Sequence, residues 1–397
     1  MSTASGRWLL PYGGTSRDGC EVVVDDTVDG WQHTGLRVVA LEAGQTWSAD
    51  ATDEWEHVVV PLSGSVVVEA TGSDGARHEA TLQGRASVFA GPTDVAYVPA
   101  GSSLRLASSP GELSRGRDDG FEASASASAP QPAPALVEVP EPPGARASKP
   151  GQVRAEGDRG FEASASASTP QSAVLEASAP RPAAVERPSR RAAVRVAVCS
   201  AKVTGRGTAM RFRHVARADV PVELRGAGSC SREVRNFGVP DVLDADSVIA
   251  CEVVTPAGNW SSYPPHKHDE EREGVETELE EIYYFEVQPA GPVPLSADPV
   301  AYQRVYGTED RPIDVLAEVR SGDVVLVPHG WHGPSMAAPG YDLYYLNVMA
   351  GPGTTRAWLI CDDPSHGWVR GTWEGMAVDP RLPFGGGATD GPTGKGR

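Results

Sequence analysis

The chain has 397 residues, enough for two modest hydrophobic cores, and its 40% hydrophobic content is ordinary for a globular protein and too low for a membrane protein. A formal net charge of −18 repels nucleic acid and anionic lipid, so neither is an expected partner. No run approaches the roughly 20 apolar residues of a spanning helix. The first residues lack a basic start followed by an apolar stretch. Cys20, Cys199, Cys230, Cys251 and Cys361 are scattered without a Cys-x-x-Cys pair, so reduced thiols and a cytoplasmic location are expected.

From about Trp8 to Ala107, short β-branched runs alternate with Gly, Asp and Ser punctuation; Val22-Val23-Val24, Val58-Val59-Val60 and Val66-Val67-Val68 are examples. Runs of that length predict strands of a sandwich or barrel rather than βαβ units. Beyond Ser108 the pattern gives way to Ala, Ser, Pro, Glu and Arg. Within it the stretch from Gly120 to Gln131 recurs, nearly unchanged, from Gly160 to Gln171. Side chains that small cannot offset roughly 1–2 kcal/mol of backbone ordering per residue, so disorder is expected across 109–192. Strand-like runs resume near Ala193 and include Asp246 to Val254, Glu281 to Val287, Asp323 to Val327 and Asp342 to Val348. The expected organisation is all-β. Its first domain is 1–108, completed by about 193–222; the second is 223–383, and 384–397 form a flexible tail.

His266-Lys267-His268 carries the strongest local signal. On a strand the two imidazoles share one face while Lys267 points away. The preceding Pro264-Pro265 favours extended backbone. About sixty residues on, Pro328-His329-Gly330-Trp331-His332 follows the apolar strand Val324 to Val327. A His pair, a later carboxylate and a third His after a Gly-Asp strand make the metal constellation of a cupin barrel. Three neutral imidazoles and one carboxylate leave a divalent ion with about +1 charge and open positions. Three carboxylates compete for the fourth place: Glu273, within a solvated charge run, and Glu280 or Glu281, of which alternation lets only one reach inward.

The segment Asn259-Trp260-Ser261-Ser262-Tyr263-Pro264-Pro265-His266-Lys267-His268-Asp269 resembles the signature of bacterial 5-deoxyglucuronate isomerases of inositol catabolism. So do the stretches from Glu278 to Phe285, Gln303 to Tyr306, Tyr341 to Gly351, Arg225 to Gly228, Arg232 to Asn236 and Asp363 to Trp368. The resemblance implies a bicupin, two jelly-roll barrels, that converts 5-deoxy-D-glucuronate to 5-dehydro-2-deoxy-D-gluconate. The related 4-deoxy-5-ketouronate isomerases carry their metal glutamate directly before an aliphatic-Tyr pair. That implies Glu281, with His266, His268 and His332, around a divalent ion: zinc first, manganese or iron next. An enediol route needs a base, for which Glu280, Tyr283 and Tyr344 are the candidates near the motif. A bidentate guanidinium for the sugar-acid carboxylate points to Arg304 or Arg232.

The sequence departs from that family at His329 and Trp331, where Arg and Tyr are more usual, and in the long insertion. The N-terminal half has no His-x-His; His33, His57 and His78 stand in unrelated contexts. A metal-free barrel serving packing and homo-oligomer formation, a dimer or larger, is expected there. Three alternatives stay open: the related ketouronate isomerase, an iron cupin dioxygenase, and a non-enzymatic sugar-binding bicupin.

Overall fold

The computed structural model describes residues 6–108, 194–205 and 210–385. The segment 109–192, for which composition predicts disorder, and most of the tail 384–397 lie outside them. Regular structure among the described residues is strand, with short 3-10 turns. The strand Asp314–Val319 alternates exposed and buried residues and so has one wet face, whereas Ile249–Thr255 and Val324–Val327 are buried throughout. Continuous burial means protein on both sides of the sheet.

A seven-stranded sheet runs in the order Leu9–Leu10, Val324–Val327, Glu280–Pro289, Tyr341–Ala350, Ile249–Thr255, Arg232–Gly238, Val222–Arg225. The main path of the N-terminal sheet is Arg213–Val215, Val95–Val98, Trp55–Thr71, Val194–Lys202, Thr34–Leu41, Cys20–Val24. The first six strands of the one correspond in order to the six of the other, and Val222–Arg225 is the extra strand at the edge. Register carries the correspondence to single residues: His57 lies opposite Val98 and Ser200 as Glu281 lies opposite Val327 and Met349. The fold is a bicupin, and its halves are copies of one plan. A six-stranded sheet completes the second barrel in the order Asp314–Val319, Ala301–Tyr306, Trp331–Ala337, His266–Lys267, Cys361–Asp362, with Trp260–Ser261 paired to Trp331–Ala337.

Each half lends its leading arm to the other. Leu9–Leu10 pairs with Val324–Val327, and Arg213–Val215 pairs with Val95–Val98. One hydrophobic cluster spans both halves, joining Trp31, Leu36, Val58 and Val60 to Ile249, Ile282, Tyr284 and Leu346. A second, built from Val39, Val59, Val66, Leu82, Leu104 and Val196, fills the N-terminal barrel. Each such side chain contributes about 1.5–3 kcal/mol when fully buried.

Two carboxylates fasten the halves reciprocally. Glu56 accepts backbone N–H bonds from Asp246 (2.8 Å), Ser247 (2.6 Å) and Val248 (2.7 Å), and also the Tyr97 hydroxyl. Glu280, its counterpart in the register, accepts from the backbone of Gln32 (3.1 Å), His33 (2.7 Å) and Thr34 (2.7 Å), and from Thr34 Oγ1 (2.9 Å). Glu280 therefore points out of the C-terminal barrel with its lone pairs engaged, which removes it as a catalytic base. Charge-assisted bonds of this kind contribute about 1.5–3 kcal/mol. Glu280→Ala is accordingly expected to lower the denaturant midpoint while leaving bound metal unchanged. Loss of metal at unchanged stability would return Glu280 to the site.

Candidate metal centre

The seven-stranded sheet sorts its side chains by alternation. Glu281, Tyr283 and Phe285 share the inner face of the C-terminal barrel with Tyr345, Asn347 and Met349, and across the next strands with Cys251, Val253, Val234 and Arg232. The opposite face, carrying Glu280, Tyr284, Tyr344, Glu252 and Arg235, turns to the N-terminal half. From the other sheet His266 pairs across strands with His332. Beside His332, Gly333 adopts φ +100°, and a Cβ there would stand 1.8 Å from Ser262 O, so only glycine lets these segments close.

Three imidazoles converge. The ring centroids of His266 and His332 are 4.4 Å apart and those of His268 and His332 4.6 Å. Among the described residues these three form the one histidine, cysteine or carboxylate group whose ligand atoms all lie within 4.8 Å of one another. Glu281, 1% exposed, places Oε2 3.1 Å from Nε2 of both His268 and His332.

Proton positions follow from the other ring nitrogens. His268 Nδ1 lies 3.1 Å from Leu279 O and His332 Nδ1 3.1 Å from Gly330 O. Carbonyl oxygens only accept, so both Nδ1 atoms carry a hydrogen, and both Nε2 atoms face the Glu281 carboxylate. His332 Nε2 is buried without an aligned hydrogen-bond partner despite its short distance to Glu281. A positive charge, a proton on Nε2 or a metal ion, has to lie between these nitrogens and the carboxylate. The cluster therefore fits a divalent metal ion.

Electrostatics divide the histidines: burial would lower His268, but its bond to Glu281 outweighs that and raises it. Burial, aided by the neighbouring imidazoles, pushes His266 well below its ordinary range. Burial would push Glu281 up, but the two histidines outweigh it and the carboxyl is lowered. Burial also pushes the Tyr283 hydroxyl well above 10, reinforced by Glu281, so it is a neutral phenol. Its oxygen lies 3.3 Å from Ser262 Oγ, which is 3.0 Å from the Tyr345 hydroxyl.

Other candidates fall elsewhere. Tyr344 faces the N-terminal half and donates to Glu252 Oε1 at 2.7 Å; strand phase puts Tyr345 in the barrel instead. Arg304 is on the outer face of its strand, bonded to Asp314 and to the carbonyls of Val305 and Val315, while its neighbour Gln303 is buried against Ser335. Arg304 therefore does not face the cluster. Arg232 is 7% exposed and on the inner face. Glu273 is exposed, and Lys267 turns outward to Asp269 (2.6 Å) and Glu276 (2.8 Å). His329 is half-buried beside Arg311 and Asp269, apart from the three histidines. His57, at the position equivalent to Glu281, bonds Ser200 Oγ at 2.8 Å, and burial pushes its imidazole down to about 4. Sequence reasoning missed Asn347, whose buried Nδ2 lacks a partner on the same face as Tyr283.

A bicupin with one buried three-histidine centre is the class that fold and site define. The chain belongs to the KduI/IolB family, whose profile matches residues 8–115 and 179–369. It is 49% identical over 176 residues to the 5-deoxy-glucuronate isomerase of Geobacillus kaustophilus strain HTA426, covering 44% of this chain and 58% of that protein. For the Bacillus subtilis strain 168 protein of the same name it is 45% over 151 residues, or 38% and 52% of the two chains. The chain thus spans little more than half the length of these curated relatives in the matches. An IolB-like protein of Salmonella typhimurium LT2, known from a crystal structure, superposes with a TM-score of 0.61 at 26% identity, covering 91% of this chain and 98% of that one.

Proposed function

We propose that the chain is a metal-dependent aldose–ketose isomerase that converts 5-deoxy-D-glucuronate to 5-dehydro-2-deoxy-D-gluconate in inositol catabolism. The observation that carries this is the convergence of three buried imidazoles beside Glu281, within a family whose similar members are named 5-deoxy-glucuronate isomerase. His266, His268, His332 and Glu281 hold the ion in this reading, zinc first, then manganese or iron. When bound, a divalent ion supplies Lewis acidity at the substrate's carbonyl and adjacent hydroxyl oxygens.

The chain's own groups then do the positioning. The neutral Tyr283 phenol donates a hydrogen bond to a substrate oxygen as charge develops there, and the free Asn347 amide donates a second. The site's burial excludes water, which strengthens both bonds. Five unpaired cysteines support a reducing, cytoplasmic setting. No helix among the described residues is long and apolar enough to cross a membrane. A homo-oligomer, a dimer or larger, is part of this reading.

Metal-replete protein is expected to isomerise 5-deoxy-D-glucuronate without nicotinamide, flavin or oxygen, and a chelator to stop it reversibly; proton NMR of the sugar follows both. Turnover of 4-deoxy-5-ketouronate instead would reassign the substrate. A fully metallated protein inert toward both would favour a sugar-binding role.

A further inference from the structure

Three guanidiniums, those of Arg225, Arg232 and Arg370, lie near enough to act on one another, and two of them have acids. Arg225 pairs with Glu223 at 2.9 Å, and Arg370 forms a two-point pair with Asp362. Arg232 makes no ion pair among the described residues. Its one hydrogen bond runs from Nη1 to Cys230 O at 3.0 Å, and its plane lies over the half-exposed Trp373 ring, 5.8 Å from the centroid. Burial, and after it the nearby Arg225 and Arg370 charges, push it down to about 10, so it stays charged at neutral pH. A buried cation whose nearest charged neighbours include two more cations is costly unless an anion joins it.

The backbone makes room for this arrangement. Gly226, at φ +75°, lets the chain pass against the Cys230 carbonyl where a Cβ would clash, and the Arg232 guanidinium lies beside the same turn. From Arg232 a polar track leads inward. Its charge acts on Tyr345, whose hydroxyl meets Ser262 Oγ at 3.0 Å; Ser262 meets Tyr283, and the Tyr283 ring lies 6.1 Å from that of His332. Arg370 acts on both Arg232 and His266, which places the two within one electrostatic neighbourhood.

We propose that Arg232, walled by Trp373, is the carboxylate subsite of this centre and makes the chain select sugar acids over neutral sugars. The inference rests on the isomerase reading and adds to it the residue that recognises the acid. The guanidinium fork takes both carboxylate oxygens while the rest of the sugar extends along the Tyr345–Ser262–Tyr283 track toward the histidines.

Two measurements test it on the full-length, metal-loaded protein. Calorimetry with glucuronate and glucose as probes is expected to show binding of the acid alone, weakened about 10–100-fold by Arg232→Gln, the size of a lost charge-assisted bond. In turnover, Arg232→Gln is expected to raise KM for 5-deoxy-D-glucuronate by a similar factor with a smaller change in kcat. Its kcat/KM for the analogue bearing CH2OH in place of the carboxylate should match wild type. Arg232→Lys, which keeps the charge and loses the fork, should fall between, and it serves as the test if the Gln variant does not fold. Unchanged glucuronate affinity and KM in a folded variant would overturn the proposal. Arg232-dependent glucuronate binding without any isomerisation would keep the subsite and sink the isomerase reading.

Discussion

His266→Ala, His332→Ala and Glu281→Ala are each expected to strip the protein of its metal, while Glu273→Ala leaves one equivalent of divalent ion per chain. Elemental analysis after dialysis against trace chelator reads the difference. Groups that merely orient a ligand cost on the order of 10–100-fold in metal affinity when removed, so losing a ligand should exceed that. Glu281 is the sharpest case. It is buried, and its Oε2 stands 3.1 Å from Nε2 of two imidazoles whose Nδ1 hydrogens are committed to backbone carbonyls. Without the carboxylate, three neutral rings would hold the ion with no compensating charge. Metal retained in Glu281→Ala but lost in Glu273→Ala would show that the carboxylate has been misassigned.

Glu252→Ala is expected to be among the most damaging substitutions for stability, at about 3–5 kcal/mol and a thermal midpoint lower by roughly 10 °C. Glu252 is 1% exposed at the junction of the halves. Arg85 grips both of its oxygens, Tyr344 donates to one at 2.7 Å, and Arg235 Nη1 lies 3.5 Å from the other. Arg235 has a second acid, Glu233, at 2.7 Å. Arg85 has no second acid among the described residues, so removing Glu252 leaves a buried charge uncompensated. Calorimetry of wild type, Glu252→Ala and the double variant Arg85→Met/Glu252→Leu separates pairing from packing, and the double variant should lose less than the single one. A loss below about 1 kcal/mol for Glu252→Ala would mean that water or rearrangement replaces the lost charge. Metal content should not change, because Glu252 lies on the face opposite Glu281.

The histidine trio was legible because its pattern is short-range: two histidines a residue apart after a proline pair, and a third just past an apolar strand. The all-β plan was legible for the same reason, since β-branched runs and turn residues are short-range signals. What failed was strand phase. In Glu280-Glu281 and Tyr344-Tyr345 both members suit an active site, and only cross-strand register shows which one faces in. Resemblance to relatives decided the first pair for Glu281; for the second, Tyr344 was chosen and Tyr345 occupies the inner face. Arg304 misled in the same way, because its neighbour Gln303 takes the inner face. The reciprocal Glu56 and Glu280 fastenings left no trace in sequence. Each acts across roughly two hundred residues on backbone groups that carry no side-chain signature. Resemblance to relatives supplied the pairing of two like barrels, while the residue-by-residue match, His57 standing where Glu281 does, shows only in the register.

The placement of Val194–Lys202 between Trp55–Thr71 and Thr34–Leu41 has a consequence for the order of events on the ribosome. Both of those strands leave the exit tunnel long before their shared neighbour is made. Residues 109–193 intervene, and at roughly 5–20 residues per second their synthesis alone holds the pair apart on the order of ten seconds. Throughout that time the nascent chain presents two unsatisfied strand edges, one of them carrying the Val58-Val59-Val60 run. Leu9–Leu10 waits longer still, until Val324–Val327 has emerged. The N-terminal sheet therefore closes only after Lys202 has emerged, and its leading arm stays unpaired until the C-terminal barrel is made. Whatever shields those edges in the meantime, a trigger-type chaperone or a second nascent chain, has a defined window in which to act, and shortening the stretch between them would narrow it.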